Sequence, residues 1–519
     1  MSSVVQKNFI ANNLLNPLAL TILASFLVFL IFKRRLINLI ANRKIRLPPS
    51  PTKLPIVGNL LQLGLSPHRS LRSLAQSYGP MMLLQLGEVP VLVVSSADAA
   101  CEIMKTQDLQ FATRPRVKMA DKLLYNSKDI AFSPYGEYWR QVRSICVMHL
   151  LSYRRVQSFC HVREEETALL IDRIRQASLS SLPVDLTEMF VTITNDVVCR
   201  VALGGKYSGG GGDYSLKFKV LLREFGELLG TFVVGDYIPW LAWLSRVNGL
   251  DARAERVAEE LDEFLDGVIE KHISRGTSEN IELEEKSDFV DVLLWIQKTK
   301  ALGFPIDRVV IKALILDMFA AGTDTTYTVL EWAMTELLRH PKIMKKLQDE
   351  VRSVAGGKSH ITQEDLEGMP YLKAVLKEAL RLHAPVPLLV PRVSRENVKV
   401  KGYDVLPGTQ VIINAWAIGR DPLSWEQPEM FQPERFSNND IDFKGHDFQF
   451  IPFGSGRRGC PGMQFAMALN ELVLANIVNQ FDWSLPGGAA VEDLDIEESS
   501  GLSIHRKNPL VLVPMPFYN

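Results

Sequence analysis

Residues 308–341 read RVVIKALILDMFAAGTDTTYTVLEWAMTELLRHP, a stretch apolar almost all the way round at helical spacing. A helix without a polar face cannot lie on a surface, so the chain has to build a body thick enough to enclose it. The material is available: 47% of the 519 residues are hydrophobic, and no long Pro- or Ser-rich linker divides the body. Length alone would allow about three domains; the undivided body predicts one. Gly322 and three threonines, Thr323, Thr325 and Thr326, interrupt the apolar run. A threonine inside a helix ordinarily bonds back to the previous turn and bends it slightly.

Further helical patterns flank this stretch. LDARAERVAEELDEFLDGVIEKHI (250–273) puts Val257, Leu261, Phe264, Leu265 and Val268 on one face with charges opposite, as in a long amphipathic helix. MMLLQLGEVPVLVVSS (81–96) holds two apolar runs broken by Gly87 and Pro90, which predicts a β-hairpin. Strand-like runs recur at VLPGTQVIINAWAI (405–418) and PLVLVP (509–514). The expected fold class is mainly α with a minor β part. SGGGGD (208–213) and SRGTSENIELEEKSD (274–288) are the expected mobile loops.

At the N-terminus, LALTILASFLVFLIF (18–32) carries no charge, and with LLNP before it is near the lower limit of roughly 17 residues for a spanning helix. Lys33, Arg34 and Arg35 follow, then Arg43, Lys44 and Arg46, whereas only Lys7 precedes. That asymmetry puts the body on the cytosolic side. A cleaved signal would carry its charges before the apolar run and a small-residue cleavage site after it. The expectation is a retained single-pass signal anchor over 1–35, then a basic, proline-rich hinge over 36–52, then a catalytic body over 53–519. Pro48, Pro49 and Pro51 favour an extended, stiff hinge. A net charge of −1 gives no reason to expect a nucleic-acid partner.

Five cysteines, an odd number without C-x-x-C or zinc-type spacing, point away from a disulfide framework and towards a reducing compartment. Cys101, Cys146, Cys160 and Cys199 read as small buried hydrophobes. Cys460 does not. It sits in FIPFGSGRRGCPG (450–462), between glycines and arginines and directly before a proline. One reading is a dinucleotide fingerprint, Gly454-x-Gly456-x-x-Gly459, after a strand-like FQFIPF and before a helix-like run. Arg457 and Arg458 fill its turn, no second strand with an acidic end follows, and strands do not alternate with helices. The other reading is a thiolate ligand to haem iron. Glycines allow the sharp turn, and a helix starting after Pro461 turns its positive end to the sulfur, which is expected to lower the thiol pKa. Phe453 can shield the iron from water, and Arg458 can reach an acidic haem edge.

The run Phe453-x-x-Gly456-x-Arg458-x-Cys460-x-Gly462 resembles the haem loop of the cytochrome P450 family. The resemblance extends over essentially the whole length, in chain order Trp139/Arg143, Asp324/Thr325, Glu378/Arg381, Arg435 and Cys460. It is closest to the plant microsomal enzymes of specialised metabolism, the group that includes psoralen synthase. It implies a P450 fold and a single haem domain on the cytosolic face of the endoplasmic reticulum membrane. Haem b would be ligated by Cys460, with Trp139, Arg143, Arg458, Arg392 and Arg114 at its propionates and Phe453, Ala321 and Gly322 against it. Glu378, Arg381 and Arg435 would form a buried network that locks the core; buried charges persist only when mutually paired. The intact pattern Ala321-Gly322-x-Asp324-Thr325-Thr326 implies a kink at Gly322 where dioxygen binds, with Asp324 and Thr325 relaying protons for O–O cleavage.

Electrons would come from NADPH through a separate NADPH–cytochrome P450 reductase. By resemblance, substrate contacts fall at 117–125, Phe319, Ala320, Thr325, Val386, Leu388, Val390 and Leu502, apart from Thr325 a mostly apolar set that suits a small hydrophobic substrate. Terpenoids, alkaloids, coumarins and other phenolics all remain open, and so does the product type. Three other readings compete with an O2-using monooxygenase. An aldoxime dehydratase would run without net oxygen use. A non-catalytic haem protein would have no need of the Asp324–Thr325 pair. A nucleotide-binding oxidoreductase would bind NADPH itself.

Overall fold

Asp307 starts the central apolar stretch: its carboxylate accepts the Val310 amide at 2.8 Å and caps the helix that follows. The structure, a computed structural model, describes residues 45–517 except 181, 207–212, 276–286, 301–303 and 438, together with Thr21 and Ser25. Apart from Thr21 and Ser25, the expected anchor and the first part of the hinge lie outside the described residues. So do most of the two expected loops at 208–213 and 274–288. In chain order, α1 is Glu137–Ile145, α2 Leu186–Leu203, α3 Asp213–Leu229 and α4 Leu250–Ser274. Then come α5 Arg308–Gly322, α6 Asp324–Arg339, α7 Pro370–Leu382 and α8 Met463–Gln480.

The central stretch is thus two helices. The division falls at Thr323 (φ −85°, ψ −66°), one residue beyond the expected kink at Gly322. α6 is wrapped by α2, α7 and α8, and α5 by α2 and α3, so both helices lose their surface to neighbours, as their composition demands. Leu330, Ala333, Met334 and Leu337 are wholly buried, and each of the leucines and the methionine contributes about 1.5–3 kcal/mol. Polar residues on α6 mostly bond back to the helix or to the C-terminal segment, although the buried Thr326 hydroxyl finds no partner. Thr335 donates to the Glu331 carbonyl at 2.7 Å, and the Glu331 carboxylate accepts the Arg506 amide at 3.0 Å. α4 is amphipathic as expected: Val257, Leu261, Leu265 and Val268 are buried, and Phe264 stacks on Phe218 of α3 at 4.1 Å.

The β part is small. β1 (Met81–Leu86) and β2 (Val89–Val94) form the expected hairpin around Gly87, with Met81 opposite Val94. After β3 (Val184–Asp185) come β4 (Arg392–Val393), β5 (Val398–Val400), β6 (Tyr403–Val405) and β7 (Gln410–Ile413). β8 (Phe481–Ser484) and β9 (Val511–Pro516) close the chain. The sheets are ordered β1-β2-β7-β4, β3-β9-β8 and β5-β6. The strand-like run at 405–418 stops at Ile413, because Asn414 caps a helical turn, Ala415–Ile418, through the Ala417 amide. FQFIPF, expected as a strand, is a series of turns packed into the core by Phe450 and Ile451. With one parallel strand pair among the described residues, β2 with β7, the doubly wound sheet of a dinucleotide site is absent from them. The hinge residues described lie on the body: the Pro49 carbonyl accepts the Leu83 amide at 2.8 Å, and Arg46 pairs with Asp404. Cys146 and Cys199 are buried as expected, whereas Cys101 and Cys160 are only partly so.

Candidate active site

The loop before α8 is bent by two glycines in the left-handed region, Gly454 (φ 69°) and Gly456 (φ 70°). The Cys460 amide donates to the Phe453 carbonyl at 2.9 Å and the Gly459 amide to Gly456 at 2.9 Å, which closes the turn. Its sulfur accepts the Gly462 amide at 3.3 Å, just ahead of the first residue of α8. The expected fall in thiol pKa is not what the polypeptide produces. Burial raises it, and the Gly462 amide, the Arg143 charge and the Met463 amide offset that only in part. A Cβ on Gly456 would stand 2.1 Å from the Met104 carbonyl oxygen and 2.9 Å from an oxygen of Asp108. Gly456→Ala is therefore expected to lower stability by more than about 1 kcal/mol. Gly487→Ala, at φ 66° with nothing within 4 Å of the added atom, serves as the control for strain alone. Equal shifts in melting temperature for the two would show that the close approach at Gly456 is immaterial.

Four arginines gather beside this loop. Arg458 donates to the carbonyls of Ala112 (2.7 Å), Ile130 (3.1 Å) and Ser133 (2.6 Å). Arg114 reaches Ala131 (2.9 Å), Val390 (2.5 Å) and Pro391 (2.9 Å). Arg143, on α1, donates to the Gly459 carbonyl at 2.5 Å, and Arg392 to the Ser455 carbonyl at 2.9 Å and to Asp108 at 3.0 Å. Trp139 lies under Arg458, whose guanidinium is 4.1 Å from the ring centre, and gives its indole N–H to the Ile130 carbonyl at 3.0 Å. Burial lowers the pKa of all four guanidinium groups, and for Arg114 the charges of Arg458 and Arg392 lower it further. Most of their partners are neutral carbonyls, so the cluster holds more positive charge than its surroundings cancel. A half-buried cysteine beside such a cluster fits a metal-bearing group with two carboxylates, which is what a haem is.

At the break in the central helix, Thr325 donates to the Ala321 carbonyl at 2.6 Å and Thr328 to the Asp324 carbonyl at 2.6 Å. Burial raises the Asp324 pKa, opposed by His505. Gly322 lies against Val198 of α2, where an added Cβ would come within 3.3 Å of a Val198 methyl. α3 crosses this point: a Cβ on Gly226 would sit 3.1 Å from the Asp324 carboxylate, and one on Gly230 2.9 Å from the Leu502 amide. Phe319 is buried edge-on against Phe218 at 5.4 Å. Ala320 and Val390 pack on the helical core, whereas Leu388 packs on the hairpin cluster and Val386 is half-buried. The expected substrate set is therefore split between two clusters. Met119, Ala120, Leu123 and Leu124 of the 117–125 segment are buried in the helical core.

Glu378 and Arg381, one turn apart on α7, make a two-bond pair at 2.7 and 2.8 Å, both wholly buried. Arg435 joins from a separate turn, Pro433–Phe436, at 3.0 Å. The remaining Arg381 donors reach the carbonyls of Gly419 (2.6 Å), Pro428 (2.7 Å) and Met430 (3.0 Å). Asp108, Asp129 and Asp317 went unnoticed in the sequence. Asp317 on α5 accepts the Ile130 amide at 2.7 Å, and burial raises its pKa well above the usual carboxylate range, with Asp129 adding to the rise. An aspartate inside an otherwise apolar helix was the signal available for Asp317. Nothing in the local sequence marked the other two.

The cytochrome P450 family profile matches residues 48–513. The chain is 57% identical to Cytochrome P450 736A117 of Prunus mume over 99% of both chains. It is 54% identical to the norfluorocurarine oxidase of a Strychnos species, over 96% of this chain and 98% of that one. A zebra fish cytochrome P450 in a structure with abiraterone superimposes with a TM-score of 0.73 at 24% identity, covering 88% of this chain and 100% of the other, and shows the same fold. The haem-thiolate reading of Cys460 and the dinucleotide reading of the same glycines thus part on the fold as well as on the loop, and the chain belongs to the cytochrome P450 family, as a plant monooxygenase of specialised metabolism.

Proposed function

We propose that this monooxygenase hydroxylates or otherwise oxidises a hydrophobic plant metabolite with O2 and with electrons passed from NADPH by a separate NADPH–cytochrome P450 reductase. The observation that carries the reading is the Asp324–Thr325 pair at the helix break, in a chain whose Cys460 sulfur is held by a backbone amide. Haem, when bound, supplies oxygen activation at a thiolate-ligated iron. Cys460 would be its ligand, and Arg114, Arg143, Arg392, Arg458 and Trp139 would hold its carboxylates. Phe453, Ala321 and Gly322 would line its faces. Asp324, its pKa raised by burial, holds a proton nearer to neutral pH than an exposed aspartate does, and Thr325 passes it on by turning its hydroxyl off the Ala321 carbonyl.

Phe319, Ala320, Val386, Leu388, Val390 and Leu502 are the proposed substrate wall, which suits a terpenoid, alkaloid, coumarin or other phenolic. A relative named as a norfluorocurarine oxidase supports oxidation of a plant metabolite. We assign residues 1–35 as the anchor in the endoplasmic reticulum membrane, 36–52 as the hinge and 53–519 as the cytosolic catalytic body. Among the described residues no single helix is long and apolar enough to cross a membrane. Leu54, Ile56, Phe232, Trp240, Trp243 and Val247 expose apolar surface, and the Glu88 amide bond to the Tyr237 carbonyl at 2.8 Å ties the hairpin to the segment bearing the tryptophans. Such a surface supports contact with lipid.

In vesicles with reductase, a converted substrate should consume NADPH and O2 in equal amounts. Conversion without O2 use would overturn the reading in favour of a dehydratase. Thr325→Ala is expected to keep its haem while product per NADPH falls on the order of tenfold or more, with peroxide rising, because a positioned proton donor contributes about 10²–10⁴ in rate. Unchanged coupling would remove Thr325 from the proton path.

A further inference from the structure

Asp108 starts a short 3₁₀ turn, Asp108–Phe111, whose Phe111 is wholly buried with Met104 in the cluster beside the hairpin sheet. Its carboxylate is nearly enclosed and uses both oxygens. One accepts Arg392 at 3.0 Å; the other accepts the Arg457 main-chain amide at 3.0 Å and lies 3.4 Å from the Arg457 side chain. Arg392 donates in turn to the Ser455 carbonyl at 2.9 Å, so a closed ring runs from Asp108 through Arg392, Ser455, Gly456 and Arg457 back to Asp108. Four residues on, the Ala112 carbonyl takes Arg458 at 2.7 Å. The segment 108–112 therefore grips the cysteine loop at two successive residues, two and three positions before Cys460. The 2.9 Å from Asp108 to where a Cβ on Gly456 would stand is the steric counterpart of the same contact.

We propose that Asp108 is a positioning residue for the Cys460 ligand: it fixes the loop's main chain at Arg457, and so sets where the sulfur stands relative to the iron. The proposal rests on the haem-thiolate reading above. A purely structural partner of Arg392 would need one acceptor oxygen, whereas the geometry uses two, on two different donors. Asparagine separates these roles. Its one carbonyl oxygen can serve Arg392 or the Arg457 amide, and its NH2 then turns a donor towards the other.

The experiment compares wild-type and Asp108→Asn holoenzymes by the carbon monoxide difference spectrum of the reduced protein, followed over time in mild denaturant, with far-ultraviolet melting alongside. The expected result is a red-shifted band that decays about tenfold or more faster in the variant, the scale on which groups behind a metal ligand act, with haem content and melting close to wild type. A band as long-lived as wild type overturns the proposal, and so does decay that merely tracks a lower melting temperature. No red-shifted band in the wild type overturns the haem-thiolate reading and this proposal with it. A second measurement needs no variant: in the wild-type holoenzyme the Arg457 amide should be protected from hydrogen exchange, and an unprotected amide overturns the proposal.

Discussion

Cys460→Ser abolishes the red-shifted carbon monoxide difference band of the reduced protein, while far-ultraviolet dichroism stays that of the folded chain. This is the largest functional effect expected of any single substitution, because one sulfur atom is the proposed link between polypeptide and iron. The surroundings explain why a hydroxyl cannot substitute. A half-buried cysteine whose sulfur accepts one amide at 3.3 Å, with Arg143 nearby, is set to bind a cation that takes the place of its proton. Serine, far less acidic than a thiol, does so much less readily. The same spectrum on both proteins decides the matter: a band that survives in Cys460→Ser removes Cys460 as the ligand and reopens the purpose of the glycine-rich loop.

Glu378→Gln should be the most damaging change outside that loop. The carboxylate accepts four donors: two from Arg381, one from Arg435 at 3.0 Å and the Gln432 amide at 2.8 Å. Glutamine keeps one acceptor oxygen and turns an NH2 group against arginines that remain charged and buried. Breaking a buried pair from one side costs about 3–5 kcal/mol, a large part of the roughly 5–15 kcal/mol that holds a domain together. The denaturation midpoint measured by dichroism should fall accordingly and haem incorporation with it. Asp349→Asn, which breaks the exposed Lys345–Asp349 pair on a helix surface, is the control, with an expected cost of about 0–1 kcal/mol. If the two variants melt alike, the carbonyl bonds of Arg381 carry the cluster and Glu378 does not.

What could be read from the sequence, and what could not, divides along physical lines. The hairpin at 81–94 and the amphipathic helix over 250–274 are local patterns, and local patterns write themselves into the order of residues. The meeting of Glu378, Arg381 and Arg435 depends on a 57-residue separation and was reached through resemblance, not periodicity. FQFIPF is apolar as a buried strand would be, yet turns: among the described residues no strand offers it a ladder, and Phe448 and Phe450 are buried in a core instead. The thiol of Cys460 was expected to be acidified by the helix end behind it. Local reasoning could see that helix but not the burial imposed by segments distant in sequence, which outweighs both the helix end and the Arg143 charge. Asp108 escaped for the same reason: its partners at 392 and 457 are distant in sequence, and nothing around it sets it apart from any surface aspartate.

The side chains proposed to meet substrate come from four separate segments: Phe319 and Ala320 from α5, Val386, Leu388 and Val390 from the stretch after α7, Leu502 from near the C-terminus, and 117–125. None of these side chains contributes a bond to the Glu378–Arg381–Arg435 cluster, whose partners are Gly419, Glu426, Gln427, Pro428, Met430 and Gln432. Where Val390 is held, it is held by its carbonyl, which every amino acid possesses. Mutations that reshape the wall therefore leave the bonds of that cluster intact, and at the wall's partly buried positions, such as Val386 and Leu388, their cost adds nearly independently to it. A gene duplicate of such a chain can drift from one metabolite to another by small steps, each leaving that cluster whole. The division of labour between wall and cluster gives this architecture its capacity to diversify.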